Sequence, residues 1–89
     1  MQTPDIRLLR SFLAVADERS ISSAARHLFM SQQTLSEQIR QLEKAVGVPL
    51  LLRGPRGVTL TAAGERLAAG AATVAAELDA LVDEVRRIA

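Results

Sequence analysis

Apolar side chains recur along this chain in three rhythms, and each predicts a different element. From Leu35 onward Ile39, Leu42 and Val46 follow at intervals of four, three and four, the spacing of one buried helix face. Gln32, Gln33, Ser36, Glu37 and Arg40 fall on the opposite, polar face. Ser31 offers an N-cap to this helix, and Gly47 followed by Val48 and Pro49 ends it, because glycine tolerates the left-handed C-cap and proline cannot continue a helix. Upstream, Ser22 is placed to cap a shorter helix whose narrow stripe is Ala24, Ala25 and Leu28, and the adjacent alanines allow another helix to approach closely. Phe29 and Met30 interrupt the spacing. Residues 20–47 therefore predict two short helices separated by one tight turn, a helix-turn-helix.

The second rhythm is a pair of short apolar runs, Leu50-Leu51-Leu52-Arg53 and Val58-Thr59-Leu60, around Gly54-Pro55-Arg56-Gly57. This predicts two strands and a turn, a hairpin of the kind called a wing beside a helix-turn-helix, with Arg53 at its base and Arg56 at its tip. The third begins after Thr61, an N-cap, and places Leu67, Ala71, Val74, Leu78, Leu81, Val85 and Ile88 at alternating intervals of four and three through to Ala89. That heptad, flanked by Glu77 and Glu84, predicts a long helix packed along another helix, most simply its own symmetry mate. A helix folded back on its own domain is the competing arrangement, and a core this small is too short to cover 28 residues. Gly64 and Gly70 each cost about 1 kcal/mol against alanine inside a helix, which close crossing can offset. Ahead of all this, Thr3-Pro4-Asp5 reads as an N-cap, a first-turn proline and an acid at the positive helix end. A helix over 4–17 with Ile6, Leu9, Phe12, Leu13 and Ala16 inward supplies the third member of a trihelical core. The expected fold is mainly α: a winged helix-turn-helix over 1–60, built of a three-helix core and a short β-hairpin wing, then a linker and dimerisation helix over 61–89.

Composition narrows the function. Eighty-nine residues make one small domain with a modest core, so association between chains would help stabilise it. The chain has no cysteine and one histidine, which excludes a disulfide framework or a thiolate metal site and argues against zinc. There is no glycine-rich phosphate loop and no Gly-x-Ser-x-Gly elbow, so neither an enzyme nor a cofactor is expected. His27, beside Arg26 and Leu28, reads as a solvated or phosphate-adjacent side chain rather than a general base. Asp79, Asp83 and Glu84 read as a solvated helix face rather than a cation site. No charged leader precedes an apolar run, and the uncharged stretch 67–76 is too short to span a bilayer, so a soluble cytoplasmic protein is expected.

Net charge is only +1, but residues 1–60 hold eight Lys and Arg against five Asp and Glu, while residues 61–89 hold three against five. The positive part is the part with the helix-turn-helix. Its second helix presents side chains that suit base edges, since glutamine can bond adenine bidentately and arginine can bond guanine or phosphate. Arg53 and Arg56 can grip phosphate or enter a narrow minor groove. The rival is a helical protein-interaction and dimerisation module without DNA binding, favoured by the near-neutral charge and the alanine-rich heptad. Salt separates the two, because affinity carried by phosphate contacts falls steeply with salt.

The order of motifs resembles the N-terminal DNA-binding domain and linker helix of LysR-type transcriptional regulators, from about Asp5 to Ala89. It rests on 9–16 (Leu-Arg-Ser-Phe-Leu-Ala-Val-Ala), on 22–28 (Ser-Ser-Ala-Ala-Arg-His-Leu), and on Ser31-Gln32 followed by Leu35-Ser36. It rests further on Ile39-Arg40-Gln41-Leu42-Glu43, on Gly47-Val48-Pro49-Leu50, and on Leu60-Thr61-Ala62-Ala63-Gly64. The resemblance implies antiparallel pairing of linker helices into a homodimer that presents two recognition helices to an interrupted inverted repeat in double-stranded promoter DNA, with further assembly into tetramers. It implies base reading by Gln32, Gln33, Ser36 and Glu37, flanked by Thr34 and Arg40. Arg53 and Arg56 take the DNA-contact positions of the wing, and Ser22, Ser23 and Ser31 lie where phosphates are touched.

Two positions depart from the family pattern. Gln33 stands where proline or serine is frequent, and Glu37 where arginine or another non-acidic residue is frequent. A carboxylate at Glu37 can accept from a cytosine amino group, or it can pair with Arg40 one turn on. The family also carries a much larger C-terminal domain that binds an inducer, which 89 residues cannot form, so the chain is expected to be an excised or truncated domain.

Overall fold

The computed structural model describes residues 4–89, so the expected Thr3 cap lies outside the described residues. Within them the order is α1 (Ile6–Glu18), α2 (Ile21–His27), α3 (Gln32–Val46), β1 (Leu51–Gly54), β2 (Gly57–Leu60) and α4 (Ala62–Ile88). This is the winged helix-turn-helix with a long final helix. The first helix starts two residues later than the proline suggests, because Asp5 is its N-cap and accepts from the Leu8 amide at 3.0 Å. That hydrogen bond favours the ionised form and holds the Asp5 carboxyl below its ordinary value. The cap of α2 is Ser20, not Ser22. The Ser20 hydroxyl accepts from the Ser23 amide at 3.1 Å, and Ser22 is the second residue of the helix, with its Oγ 3.1 Å from that of Ser20. Ser31 and Thr61 cap α3 and α4 as expected, and Gly47 ends α3 at φ +82.

The core gathers where the first three helices meet. Phe12 and Val15 of α1, Ala24 and Ala25 of α2, and Leu35, Ile39 and Leu42 of α3 are buried, with Leu50, Leu51 and Val58 closing it from the hairpin side. Helix α1 touches α2, α3, α4 and β2, so more of its circumference is covered than one stripe provides. This is why Val15 and Ser11 are buried although the expected inner face omitted them. Ser11 is kept satisfied inside the fold by donating to the Gln38 side chain of α3.

The hairpin pairs Leu51 with Leu60, Leu52 with Thr59, Arg53 with Val58 and Gly54 with Gly57, leaving Pro55-Arg56 as its turn. It is anchored at three places. The Glu43 carboxylate of α3 accepts from the Leu50 and Leu51 amides at 2.8 and 3.3 Å. Thr61 donates its hydroxyl to the Pro49 carbonyl at 2.8 Å and its amide to the Leu50 carbonyl at 3.0 Å. On the far side the Val58 amide donates to the Arg19 carbonyl at 3.2 Å, and Gly57, at φ +117, passes so close that a Cβ would stand 2.8 Å from that oxygen.

Helix α4 begins on the domain and then leaves it. Gly64 lets it cross against the Leu50 carbonyl, where a Cβ would collide, whereas a Cβ at Gly70 would meet only the mobile end of Arg66. Close crossing therefore accounts for the first glycine and not the second. Ala71 and Ala75 are buried and Leu67 packs on the core, so the near half does fold back on its own domain. Arg10 of α1 pins Asp79 at 2.9 Å, after which residues 79–89 are all exposed.

Candidate nucleic-acid interface

The expected reading face is a surface of α3. Gln32, Gln33, Thr34, Glu37 and Arg40 are exposed and Ser36 is half-buried, while Leu35, Ile39 and Leu42 point the other way into the core. The presentation is set by the turn ahead of it. Amides of Leu28, Phe29 and Met30 close back onto the carbonyls of Ala24, Arg26 and Ala25, and Phe29 adopts φ +55 with its ring 96% exposed. Such a left-handed residue permits the sharp reversal between the two helices, at a cost for a bulky side chain. Ser31 then accepts from the Thr34 amide at 3.0 Å and donates to the Thr34 hydroxyl at 2.9 Å, which orders both side chains at the start of the helix.

Hydrogen bonds join the wing to this face. Arg53 is one pair from the turn, not at the base of the hairpin, and its guanidinium donates to the Ser36 hydroxyl at 3.2 Å. Arg56 is exposed in the turn itself. The structure thus brings Arg53 beside the recognition helix and leaves Arg56 at the tip. Glu37 accepts from Arg40 at 2.8 Å, with both side chains more than half exposed. On α2, Ser22 and Ser23 are half-buried, and Ser23 accepts from Arg26 at 3.2 Å. His27 lies 3.1 Å from the Glu18 carboxylate at the surface. Among the described residues no cluster of His, Asp and Glu could hold a metal ion, and no helix is long and apolar enough to cross a membrane.

The heptad residues of α4 divide between two surroundings. Leu67 and Ala71 are spent on the chain's own core, whereas Val74, Leu81, Val85 and Ile88 are exposed, with Leu78 half-buried between them. An open apolar groove walled by Leu9, Val46, Leu67 and Val74 continues this stripe onto the domain. Glu43, Gln38 and Thr61, none of them among the expected site residues, position the site. Thr61 was legible as a cap, but its hold on the wing and the two side-chain clasps from α3 join residues far apart in the chain.

A helix-turn-helix with a recognition face and a braced wing defines the class, and comparison with known proteins places the chain within it. The model of the family described as "Bacterial regulatory helix-turn-helix protein, lysR family" matches residues 6–65, and the chain belongs to that family. It is 47% identical over 85 residues to the HTH-type transcriptional regulator BudR of Klebsiella aerogenes, covering 96% of this chain and 59% of that protein. It is 48% identical over 81 residues to a probable hydrogen peroxide-inducible genes activator of Streptomyces viridosporus, covering 91% of this chain and 26% of that one. The chain thus spans between a fifth and three-fifths of the length of curated relatives such as these. Among solved structures, the BenM_DBD/catB site 1 DNA complex superposes with a TM-score of 0.91 at 38% identity, over 94% of each chain. The CbnR_DBD-DNA complex gives 0.89 at 34% identity, over 94% of this chain and 97% of that one.

Proposed function

We infer that these residues are the sequence-specific double-stranded DNA-binding part of a bacterial transcription regulator, acting in the cytoplasm as a binding module and not as an enzyme. The observation that carries this is the paired presentation of α3 and the wing. Gln32, Gln33 and Arg40 stand exposed on a helix whose other face is fixed in the core, and Arg53 is held against the same helix. A helix so presented fits the major groove, and the arginine-bearing hairpin lies beside it for phosphate or the minor groove. The BenM and CbnR domains, which share this fold closely, were solved on DNA. Ser22, Ser23 and Ser31, near the starts of α2 and α3, are the positions for phosphate contacts.

Two such domains bind together in this reading, joined along the exposed part of α4 through Val74, Leu78, Leu81, Val85 and Ile88, with Leu67 and Ala71 at the margin of the seam. The stripe and the groove that continues it leave apolar surface that pairing would cover. A dimer then reads two half-sites of an interrupted inverted repeat, and in a longer regulator two dimers can join as a tetramer.

Selection from a random DNA pool at moderate salt tests the reading. Enrichment of an interrupted inverted repeat is expected. Arg53→Ala and Arg56→Ala each lower affinity across all sequences and shrink the salt slope by about 1, whereas changes at Gln32 or Gln33 alter which sequence is preferred. Absence of any salt-dependent DNA binding overturns the reading in favour of a protein-interaction module.

A further inference from the structure

Glu37 sits in the middle of an exposed helix face that is otherwise built of neutral or basic side chains, Gln33, Arg40 and Gln41 among them. A lone carboxylate there would repel a phosphate backbone. It is not alone. Its Oε2 accepts from Arg40 Nη2 at 2.8 Å, with the Arg40 and Glu37 side chains 60% and 57% accessible, so the pair is solvent-facing and close to charge-neutral. No other hydrogen bond ties either side chain among the described residues, so Oε1 and further guanidinium N–H groups have no partner within the chain. Packing does not explain the pair, because the buried residues of α3 are Leu35, Ile39 and Leu42. An exposed ion pair of this spacing also contributes only a few tenths of a kcal/mol to the helix.

What the pair offers a ligand is an acceptor and a donor side by side. A G·C base pair presents the complement in the major groove: the N4 amino donor of cytosine next to the O6 and N7 acceptors of guanine. An A·T pair suits it poorly. Its single donor, adenine N6, lies between the N7 and O4 acceptors, so on either side of it the guanidinium would meet one acceptor instead of two in a row. We propose that Glu37 and Arg40 act as one reading unit for a G·C pair, the carboxylate accepting from cytosine N4 and the guanidinium donating to guanine. This rests on the DNA-binding reading above and adds a specific base preference to it.

The test is selection from a randomised DNA pool with the wild-type chain, Glu37→Gln, Glu37→Ala and Arg40→Ala, followed by salt-titrated affinities on the enriched site. Circular dichroism and thermal melts of each variant establish that α3 and the fold are intact. The wild type is expected to enrich a G·C pair at one position of each half-site, and replacing that pair lowers its affinity on the order of 10-fold. Glu37→Gln shifts that position toward A·T, because an amide both donates and accepts and so matches adenine. Glu37→Ala and Arg40→Ala relax the preference there and leave the other positions alone. The same enriched sequence in the wild type and both Glu37 variants overturns the proposal. So does a Glu37→Ala chain that binds every sequence more tightly by one common factor with a steeper salt slope, since Glu37 then only neutralises Arg40. A wild-type chain with no salt-dependent DNA binding at all overturns instead the reading on which the proposal rests.

Discussion

On α3 the apolar stripe Leu35, Ile39 and Leu42 is 0%, 1% and 0% accessible, whereas on α4 an equally regular stripe runs from 49% exposed at Val74 to 87% at Ile88. The two stripes share a rhythm and differ in what covers them. Helix α3 is hemmed in by α1 and α2, so its face is buried within one chain. Helix α4 is 27 residues, about 40 Å at 1.5 Å per residue, and outruns the domain it starts on. Periodicity therefore announces an apolar face and says nothing about whose surface covers it.

The contrast can be broken most forcefully in the core. Leu42→Ala removes a fully buried side chain from α3 and is expected to cost about 2–5 kcal/mol in denaturant unfolding, with the slope unchanged. A loss below about 1 kcal/mol would mean that this stripe is no better packed than that of α4. The glycines of α4 sharpen the boundary between its halves. Gly64→Ala forces a Cβ against the Leu50 backbone and is expected to destabilise by about 1–3 kcal/mol. Gly70→Ala meets only the movable Arg66 head and gains up to about 1 kcal/mol of helix propensity. Equal effects at the two glycines would refute the close crossing.

The smallest effect on stability belongs to the far half of α4. At concentrations where single chains prevail, Leu81→Glu should change the melting free energy by less than about 0.5 kcal/mol, because the side chain is 55% exposed. At higher concentrations the same change combined with Leu78→Glu places charge in the proposed seam and should reduce the mass by light scattering to that of one chain. A mass unaffected by both substitutions refutes the seam.

Features that depend on near neighbours in sequence were legible before the structure: Ser31, Gly47 and Thr61 as helix ends, the hairpin around Gly54-Pro55-Arg56-Gly57, and the inward set of α3. Where several residues could serve the same local role, the tertiary fold decided. Both Ser20 and Ser22 precede the Ala24 stripe, and Ser20 wins because Ile21 starts the helix packed against the core. Val15 escaped notice because α1 is contacted on several sides and no single stripe describes it. On the candidate interface the exposed α3 residues were legible, since they are what the core spacing leaves outside. The partners of Arg53 and Glu43 were not, because Ser36 lies 17 residues from Arg53, and the Leu50 and Leu51 amides lie seven and eight from Glu43.

The Glu43 clasp makes the domain a fixed calliper. One jaw is α3 and the other the wing, and a carboxylate bonded to two successive amides, backed by the Thr61 lock on Pro49 and Leu50, ties one to the other. A calliper that does not open measures instead of adapting. A duplex that seats α3 in its major groove must offer the neighbouring backbone or minor groove at the wing's spacing, or be bent until it does. The energy of that bending differs from one base step to the next, so it selects among sequences even at positions no side chain reaches.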